Sequence, residues 1–306
     1  MLINMIQKID KKILLLLGSI FFIEGCSNII ANKILYPIPH TDNNITLQQP
    51  KYTYEEINIS TVDNEILSGL QVYNHKDKDK DVLLFLHGNN DDISQITKSN
   101  RVLILLDEAL DKNYDVLVVD YRGYGKSTGS PSPKGLNLDI QAIINYLNKD
   151  KYKNIYIYAQ SIGGTSFLGA LDDINSTNVK GVITEGAFLS YKQLSNTINI
   201  SVPFTDYKDI EPFAPISVNK NITLPLLLIH SQEDEVVPYS QGKALAKHFK
   251  NAKHIQTTGN HLGYISSESD LKTIFEFYRI HQDYKAPLKI LSIVTKENNN
   301  FKKNKK

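Results

Sequence analysis

The sequence is poor in cysteine, since Cys26 is the only one among 306 residues. A single cysteine cannot form an internal disulfide, and it cannot supply the cysteine sets of structural zinc or iron–sulfur sites. The chain also lacks an excess of either charge, because 34 Lys and Arg oppose 33 Asp and Glu and leave +1. Without a basic field, the usual electrostatic basis of nucleic-acid binding is missing. We therefore expect no nucleic-acid partner, and no residue pattern predicts a metal or a cofactor.

The uncharged run near the N-terminus is too short to cross a bilayer. It covers residues 13–23, whereas a spanning helix needs about 20 apolar residues. Its length is typical of the apolar region of a secretory signal, and three lysines within residues 1–12 precede it. Gly25 and Cys26 follow soon after its end. Residues 1–25 are therefore predicted to be a signal peptide.

A small residue before a cysteine at this place resembles the bacterial lipoprotein signal. In that family the cysteine is lipidated and becomes the new N-terminus. The resemblance implies lipidation of Cys26 and a membrane-anchored protein of the bacterial cell envelope. Glu24 departs from the family pattern, which prefers a small or apolar residue there. A plain N-terminal membrane anchor and simple cleavage with secretion are the alternatives.

Composition divides the rest of the chain into three parts. Residues 26–50 are polar and contain three prolines, which favours a tether. No composition break splits residues 51–285, which are predicted to form one folded domain. Residues 286–306 finish in a stretch of lysine and asparagine that is low in apolar residues, which predicts a tail that is disordered at its end.

Short apolar runs alternate with segments whose apolar residues recur at helical spacing. Runs that are apolar on both faces suit strands covered on both sides, as in a mostly parallel sheet. The alternation predicts an α/β fold with a doubly wound sheet, whose sites form beyond the carboxyl ends of the strands. The predicted strands cover residues 51–60, 66–73, 81–87, 114–120, 154–159, 181–184, 225–230 and 253–258. Examples of the helical segments between them are residues 102–110, 136–147, 167–171 and 244–249.

Ser161 directly follows one of these strands, in a turn of small residues. The local sequence from Ala159 to Gly163 is close to G-x-S-x-G, the strand–turn–helix motif that exposes a nucleophilic serine. Small residues are needed there because the strand folds back onto its helix. A serine–glycine turn without chemistry is the alternative. We take Ser161 as the candidate nucleophile.

Three acidic residues, Glu233, Asp234 and Glu235, follow the predicted strand 225–230. An acidic turn in solvent is the ordinary explanation of such a cluster. The alternative is that one of the three orients a histidine, and we select Asp234 for that role. Glu185, just past the predicted strand 181–184, is the second candidate for the acid.

His261 lies in the loop after the last predicted strand. Neutral imidazole near pH 7 can accept the proton of a serine and return it to a leaving group. A serine, an acid and a histidine therefore follow three different strand ends. Because those ends meet at one edge of a parallel sheet, we predict a Ser-His-Asp site made of Ser161, His261 and Asp234.

The segment His87-Gly88-Asn89-Asn90 follows an earlier predicted strand. Acyl transfer places negative charge on a substrate oxygen, and N–H donors must already point at it. We expect these donors to be the backbone N–H groups of Ile162 and Asn89. Gly88 permits a close approach of the backbone, and His87 is expected to be structural.

Together these segments resemble the α/β-hydrolases over roughly residues 55–280. The chain order of serine, acid and histidine is that of the family. The turn at residues 121–125 is similar to its ABHD-type and Bem-like branch, which includes protein depalmitoylases. The resemblance implies an α/β-hydrolase fold, a mostly parallel doubly wound sheet with a small cap insertion. Ala159 and Ser231 each stand where the family usually has glycine, and neither removes a catalytic group.

The resemblance also implies the roles of nucleophile, base and acid for the three residues named above. The expected activity is hydrolysis of carboxylic esters or acyl-thioesters through an acyl-enzyme intermediate. Two alternatives are a peptidase of the prolyl-oligopeptidase type and an inactive, envelope-tethered binding module. About 50 residues before the core are too few for a propeller domain, which weakens the first. The aromatic-rich segment between residues 184 and 225 is either a small cap or a packed connector.

Overall fold

The computed structural model describes residue 36 and residues 52–73, 80–149, 152–198 and 206–285. The predicted signal with Cys26, nearly all of the predicted tether and the predicted tail 286–306 lie outside the described residues. Within those described ranges, no helix combines the length and the apolar character that crossing a membrane requires.

In the part of the chain that the structure describes, eight strands form one sheet. In chain order they are β1 Thr53–Ser60, β2 Ile66–Tyr73, β3 Lys80–Leu86, β4 Tyr114–Val119, β5 Tyr152–Gln160, β6 Val179–Glu185, β7 Leu226–Ser231 and β8 Lys253–Thr257. Their spatial order is β1-β2-β4-β3-β5-β6-β7-β8. The pairs β1–β2 and β2–β4 are antiparallel, and the other five pairs are parallel. The predicted leading hairpin and mostly parallel sheet are therefore present.

Helices cover both faces of this sheet. They are α1 Ile93–Ile96, α2 Asn100–Asp111, α3 Pro133–Asn148, α4 Ile162–Gly169, α5 Tyr191–Thr197, α6 Tyr207–Ile210, α7 Tyr239–His248 and α8 Glu268–Ile280. In β3, Leu84 shares a buried cluster with Ile140 of α3, whereas its neighbour Leu83 shares a second cluster with Leu105 of α2. Successive strand residues point to opposite faces, so a sheet covered twice requires an unbroken apolar run.

The segment between β6 and β7 packs against α4. The backbone N–H of Phe188 donates to Thr165 Oγ1 at 3.0 Å, and that of Ile216 donates to Leu189 O at 3.0 Å. A side chain added at Gly169, the last residue of α4, would collide with the carbonyl of Phe213. These contacts agree with the packed-connector alternative for this segment, of which residues 199–205 lie outside the described residues.

Tyr36 is the one described residue of the predicted tether, and its side chain is buried with 1% exposure. Its hydroxyl lies 3.5 Å from that of Tyr191 in α5. Burial, followed by the proximity of Tyr191 and Tyr124, raises the pKa of Tyr36 well above its usual value. At this position the N-terminal segment therefore contacts the core of the domain.

Candidate active site

Ser161 occupies a sharp turn between β5 and α4. Its φ of 50° and ψ of −116° are strained values for a residue with a side chain. The backbone N–H of Ser161 donates to Glu185 O at 2.7 Å, which fixes the turn against the end of β6. A Cβ at Gly163 would lie 2.6 Å from Tyr121 Oη, so only glycine fits there. Ala159 is fully buried at the end of β5, where its small side chain replaces the usual glycine.

His261 connects Ser161 with Asp234. Its Nε2 lies 2.9 Å from Ser161 Oγ, and its Nδ1 lies 2.6 Å from Asp234 Oδ2. A carboxylate only accepts hydrogen bonds, so Nδ1 carries the hydrogen and Nε2 is left to accept one from the serine. The structure therefore brings together the three residues that the sequence analysis selected.

The carboxylate of Asp234 has hydrogen-bond donors at both oxygens. Oδ1 accepts from the backbone N–H groups of Val236 at 2.9 Å and Val237 at 2.7 Å. Oδ2 also lies 3.2 Å from Nε2 of His230, a second histidine that is 2.7 Å from Val237 O. Burial alone would raise the pKa of Asp234, but the hydrogen bonds from His230 and His261 hold this pKa below its usual range.

The contact of His230 with this carboxylate was missed from the sequence. His230 is the fifth residue of β7, and only its spacing of four residues from Asp234 hinted at a contact. Glu185, the second candidate for the acid, is placed elsewhere. Its carboxylate accepts hydrogen bonds from Tyr158, Gln160 and the backbone of Tyr264. The carboxylate that is hydrogen-bonded to the imidazole of His261 is therefore that of Asp234.

The loop after β3 lies against Ser161. A Cβ at Gly88 would be 3.8 Å from the Cβ of Ser161 and 3.4 Å from Leu262 Cδ1. The side chain of Asn89 is fixed by a hydrogen bond, in which Tyr124 Oη donates to its Oδ1 at 2.6 Å. Ile162 is the first residue of α4, and the first N–H groups of a helix have no acceptor within it. Both predicted N–H donors therefore belong to segments that adjoin the serine.

His87 and Asp120 lie buried behind this loop. Nδ1 of His87 lies 2.8 Å from Gly88 O, and Tyr121 Oη donates to His87 O at 3.1 Å. Burial lowers the pKa of His87 to about 4, and the hydrogen bond to Gly88 O and the charge of Asp92 oppose this shift without overcoming it. Asp120 Oδ1 accepts from Ile93 N at 2.8 Å and lies 3.8 Å from Nε2 of His87. Burial raises the pKa of Asp120 to about 7.

The turn at residues 121–125 is anchored by an ion-pair network. Arg122 contacts Asp139 of α3 at 2.8 Å and Asp63 at 2.7 Å. These contacts agree with a structural role for the turn. In the described ranges, no group of three or more His, Cys, Asp or Glu side chains is arranged to hold a metal ion.

Comparison with known proteins identifies the family of the chain. Residues 81–219 match the family described as alpha/beta hydrolase fold, and residues 206–277 match one described as TAP-like protein. Protein bem46 of Schizosaccharomyces pombe is 31% identical over 216 residues, which cover 67% of this chain and 69% of that protein. The chain belongs to the α/β-hydrolase family.

This α/β-hydrolase also resembles the uncharacterized protein YfhR of Escherichia coli K12, at 31% identity over 149 residues. That match covers 47% of this chain and 51% of YfhR, so it spans about half of the relative. Lysophosphatidylserine lipase ABHD12 of Macaca fascicularis is 26% identical over 229 residues, which cover 67% of this chain and 53% of the lipase. An esterase of Pyrococcus furiosus superposes with a TM-score of 0.64 at 21% identity, over 80% of this chain and 97% of the esterase. The predicted α/β-hydrolase fold is confirmed.

Proposed function

We propose that this α/β-hydrolase is a serine hydrolase that cleaves carboxylic esters or acyl-thioesters. The observation that carries the proposal is the continuous hydrogen-bonded line from Ser161 Oγ through His261 to Asp234. This line begins at a strained turn that presents the serine at the carboxyl edge of the sheet. Esterase and lipase relatives support the same class of substrate.

The proposed reaction proceeds in two halves. Ser161 Oγ attacks the acyl carbon while its proton moves to Nε2 of His261, and Asp234 stabilises the imidazolium through Nδ1–H. The backbone N–H groups of Ile162 and Asn89 stabilise the oxyanion. The intermediate collapses when His261 returns the proton to the departing alcohol or thiol. Water, deprotonated by His261, then releases the acid from the acyl-enzyme and restores Ser161.

A substitution of the nucleophile tests this proposal. Ser161→Ala should lower kcat by about 10⁴-fold or more, because only binding and the oxyanion donors remain. A fluorophosphonate probe should label the wild-type chain and not the variant. p-Nitrophenyl esters of increasing chain length then identify the preferred acyl chain, and acyl-thioesters assayed beside them show whether esters or thioesters are cleaved faster. A wild-type chain that resists the probe and cleaves neither substrate would instead indicate an inactive binding module.

We further propose that Cys26 carries a lipid that holds the enzyme at the bacterial cell envelope. The proposal rests on the signal-like residues 1–25 and on the position of the lone cysteine. Metabolic labelling with an alkynyl fatty acid should mark the wild-type protein, which should sediment with membranes, and Cys26→Ala should lose the label. An unlabelled wild-type protein in the soluble fraction would refute the anchoring and leave the Ser161 proposal intact.

A further inference from the structure

Glu185 is a buried acid that the proposed reaction does not use. It is the last residue of β6 and has an exposure of 2%. Its backbone carbonyl accepts the N–H of Ser161 at 2.7 Å, so its main chain is already tied to the nucleophile. A carboxylate is costly to bury unless hydrogen bonds satisfy it, so its partners indicate why an acid is present.

The carboxylate of Glu185 joins two separate segments. Oε2 accepts from Tyr158 Oη at 2.9 Å and from Gln160 Nε2 at 3.0 Å, both in β5 just before the serine. Oε1 accepts from the backbone N–H of Tyr264 at 2.8 Å. Tyr264 lies three residues after His261. One side chain therefore links the strand of the nucleophile with the loop of the base.

The histidine loop, residues 258–267, connects β8 to α8 without a helix or strand of its own. On one side it is held by the end of β7 and the turn after it, because Ser231 Oγ donates to Gly259 O at 2.5 Å and Gly259 N donates to Glu233 Oε2 at 2.7 Å. On the other side it is held by Glu185. His261 lies between these two attachments, and its ring is held directly by Asp234 and Ser161.

We infer that Glu185 is a positioning residue, which holds the histidine loop against β5 and thereby sets the distance between His261 Nε2 and Ser161 Oγ. The inference rests on the proposed serine hydrolase function. Glu185 does not touch the reacting atoms, so its effect has to appear in the rate of the chemical step and not in substrate binding.

Glu185→Gln tests the inference, because an amide offers one acceptor oxygen where the carboxylate offers two. Either the N–H of Tyr264 or the donors from β5 then lose their acceptor. A small misplacement of a catalytic group lowers rates by up to about 100-fold. We expect kcat to fall about 10- to 100-fold with KM changed less than about twofold. Fluorophosphonate labelling should slow in parallel.

A spectroscopic readout separates positioning from a general loss of stability. The proton in the short His261–Asp234 hydrogen bond should give a downfield resonance in the wild-type enzyme, and in Glu185→Gln that resonance should broaden or disappear. Tyr158→Phe is the matched control, since it removes one donor to Oε2 and leaves the Oε1–Tyr264 bond. We expect Tyr158→Phe to keep kcat within about threefold and to keep the resonance.

Wild-type kcat and an unchanged resonance in folded Glu185→Gln would overturn the inference. If Glu185→Gln does not fold, Glu185→Asp keeps the charge with a shorter reach, and it should show a smaller loss in kcat at constant KM; wild-type kcat there also overturns the inference. A harmless Asp234→Asn beside an inactive Glu185→Gln would make Glu185 the acid of the triad, which contradicts a positioning role. Failure of the proposed function is distinct, because then either the wild-type chain would be inactive and unlabelled or Ser161→Ala would stay active.

Discussion

Asp120 and Asp234 are two buried acids placed symmetrically about the nucleophile. Ser161 follows β5, and the sheet order places β4, with Asp120 at its end, two strands to one side. β7, which leads into Asp234, lies two strands to the other side. Their exposures are similarly low, at 2% and 8%. Their pKa values nevertheless move in opposite directions, up for Asp120 and down for Asp234.

The difference lies in the donors around each carboxylate. Asp234 receives two backbone N–H groups, and two histidine nitrogens lie on its other oxygen. For Asp120, burial outweighs the backbone hydrogen bonds from Ile93 and Lys126, and His87 is 3.8 Å away, beyond hydrogen-bond distance. Burial raises the pKa at both sites, and the charge of Asp92 adds to the rise at Asp120, whereas hydrogen bonds from the two histidines outweigh burial at Asp234. An ionised Asp234 is suited to stabilise a positively charged histidine, whereas Asp120 is suited to a structural role.

The largest expected effect is that of Asp234→Asn. The amide cannot hold His261 in the tautomer that leaves Nε2 free to accept, so we expect kcat to fall by about 10⁴-fold with little change in KM. Asp120→Asn is the matched change on the other side of Ser161, and it should keep kcat within about threefold. Steady-state kinetics on an activated ester measures both. Equal losses in the two variants would contradict the division of roles.

Gly186→Ala should disturb the histidine from the β6 side. The φ of Gly186 is 68°, and a Cβ there would lie 2.6 Å from Cε1 of His261, so the ring has to move. We expect kcat to fall about 10- to 100-fold. Asn113→Ala controls for backbone strain alone, because it places alanine at a φ of 67° just before the amino end of β4, at the edge of the sheet opposite the site. The control should lose about 1 kcal/mol of stability and no activity, and equal activities of the two variants would refute the crowding argument.

The pH dependence of stability separates the two acids without catalysis. The pKa of Asp120 is about 7 in the folded chain and about 3.9 when unfolded, so the folded state binds more protons between these values. Asp120 therefore makes stability fall as pH rises from about 4 to 7, by a few kcal/mol at most. Asp234, with a lowered pKa, makes stability fall only as pH drops below about 4. Urea unfolding from pH 4 to 8 should show a flatter profile for Asp120→Asn, and an identical slope would refute the assignment.

The smallest expected effect is that of Tyr124→Phe. The change removes the hydrogen bond to Asn89 Oδ1 and loosens the loop that carries one proposed oxyanion donor. One neutral hydrogen bond contributes about 0.5–1.5 kcal/mol, which corresponds to a loss in kcat of about 2- to 10-fold. Tyr73→Phe, at the opposite edge of the sheet, should leave kcat unchanged. An unaltered kcat in Tyr124→Phe would show that the position of Asn89 does not depend on the hydrogen bond from Tyr124.

Much of the sheet was predictable because a strand that is buried on both faces has a continuous run of apolar residues in the sequence. The run in β7 was predicted for residues 225–230 and is observed at Leu226–Ser231. Helix α8 was not among the predicted helices, although its start carries a signal in the sequence. Ser267 stands three residues before Asp270, and in the structure the two form the reciprocal hydrogen bonds of a capping box. Its apolar residues occupy only one stripe, and such a pattern is less conspicuous than a continuous run.

The site was predictable where function requires a particular residue type after a strand. Ser161, Asp234 and His261 each satisfy that requirement, and the structure brings them together. The supporting contacts were not predictable, because they depend on register between distant segments. Glu185 meets Tyr264 across 79 positions of sequence, and no local pattern encodes such a pair. The contact of His230 with Asp234 was not predictable for the same reason, because it depends on how residues 232–237 fold back onto β7.

The buried Tyr36 limits how far the enzyme could stand from a membrane. If Cys26 carries a lipid, Tyr36 is the tenth residue after the anchor, and a chain of ten Cα–Cα steps spans at most about 36 Å. Tyr36 in turn is fixed beside Tyr191 and Tyr124, and Tyr124 holds the loop that adjoins Ser161. The part of the domain that adjoins the serine would then stay within one domain diameter of the lipid surface. Such an enzyme encounters acyl esters by their number per unit area of bilayer and not by their concentration in bulk solution.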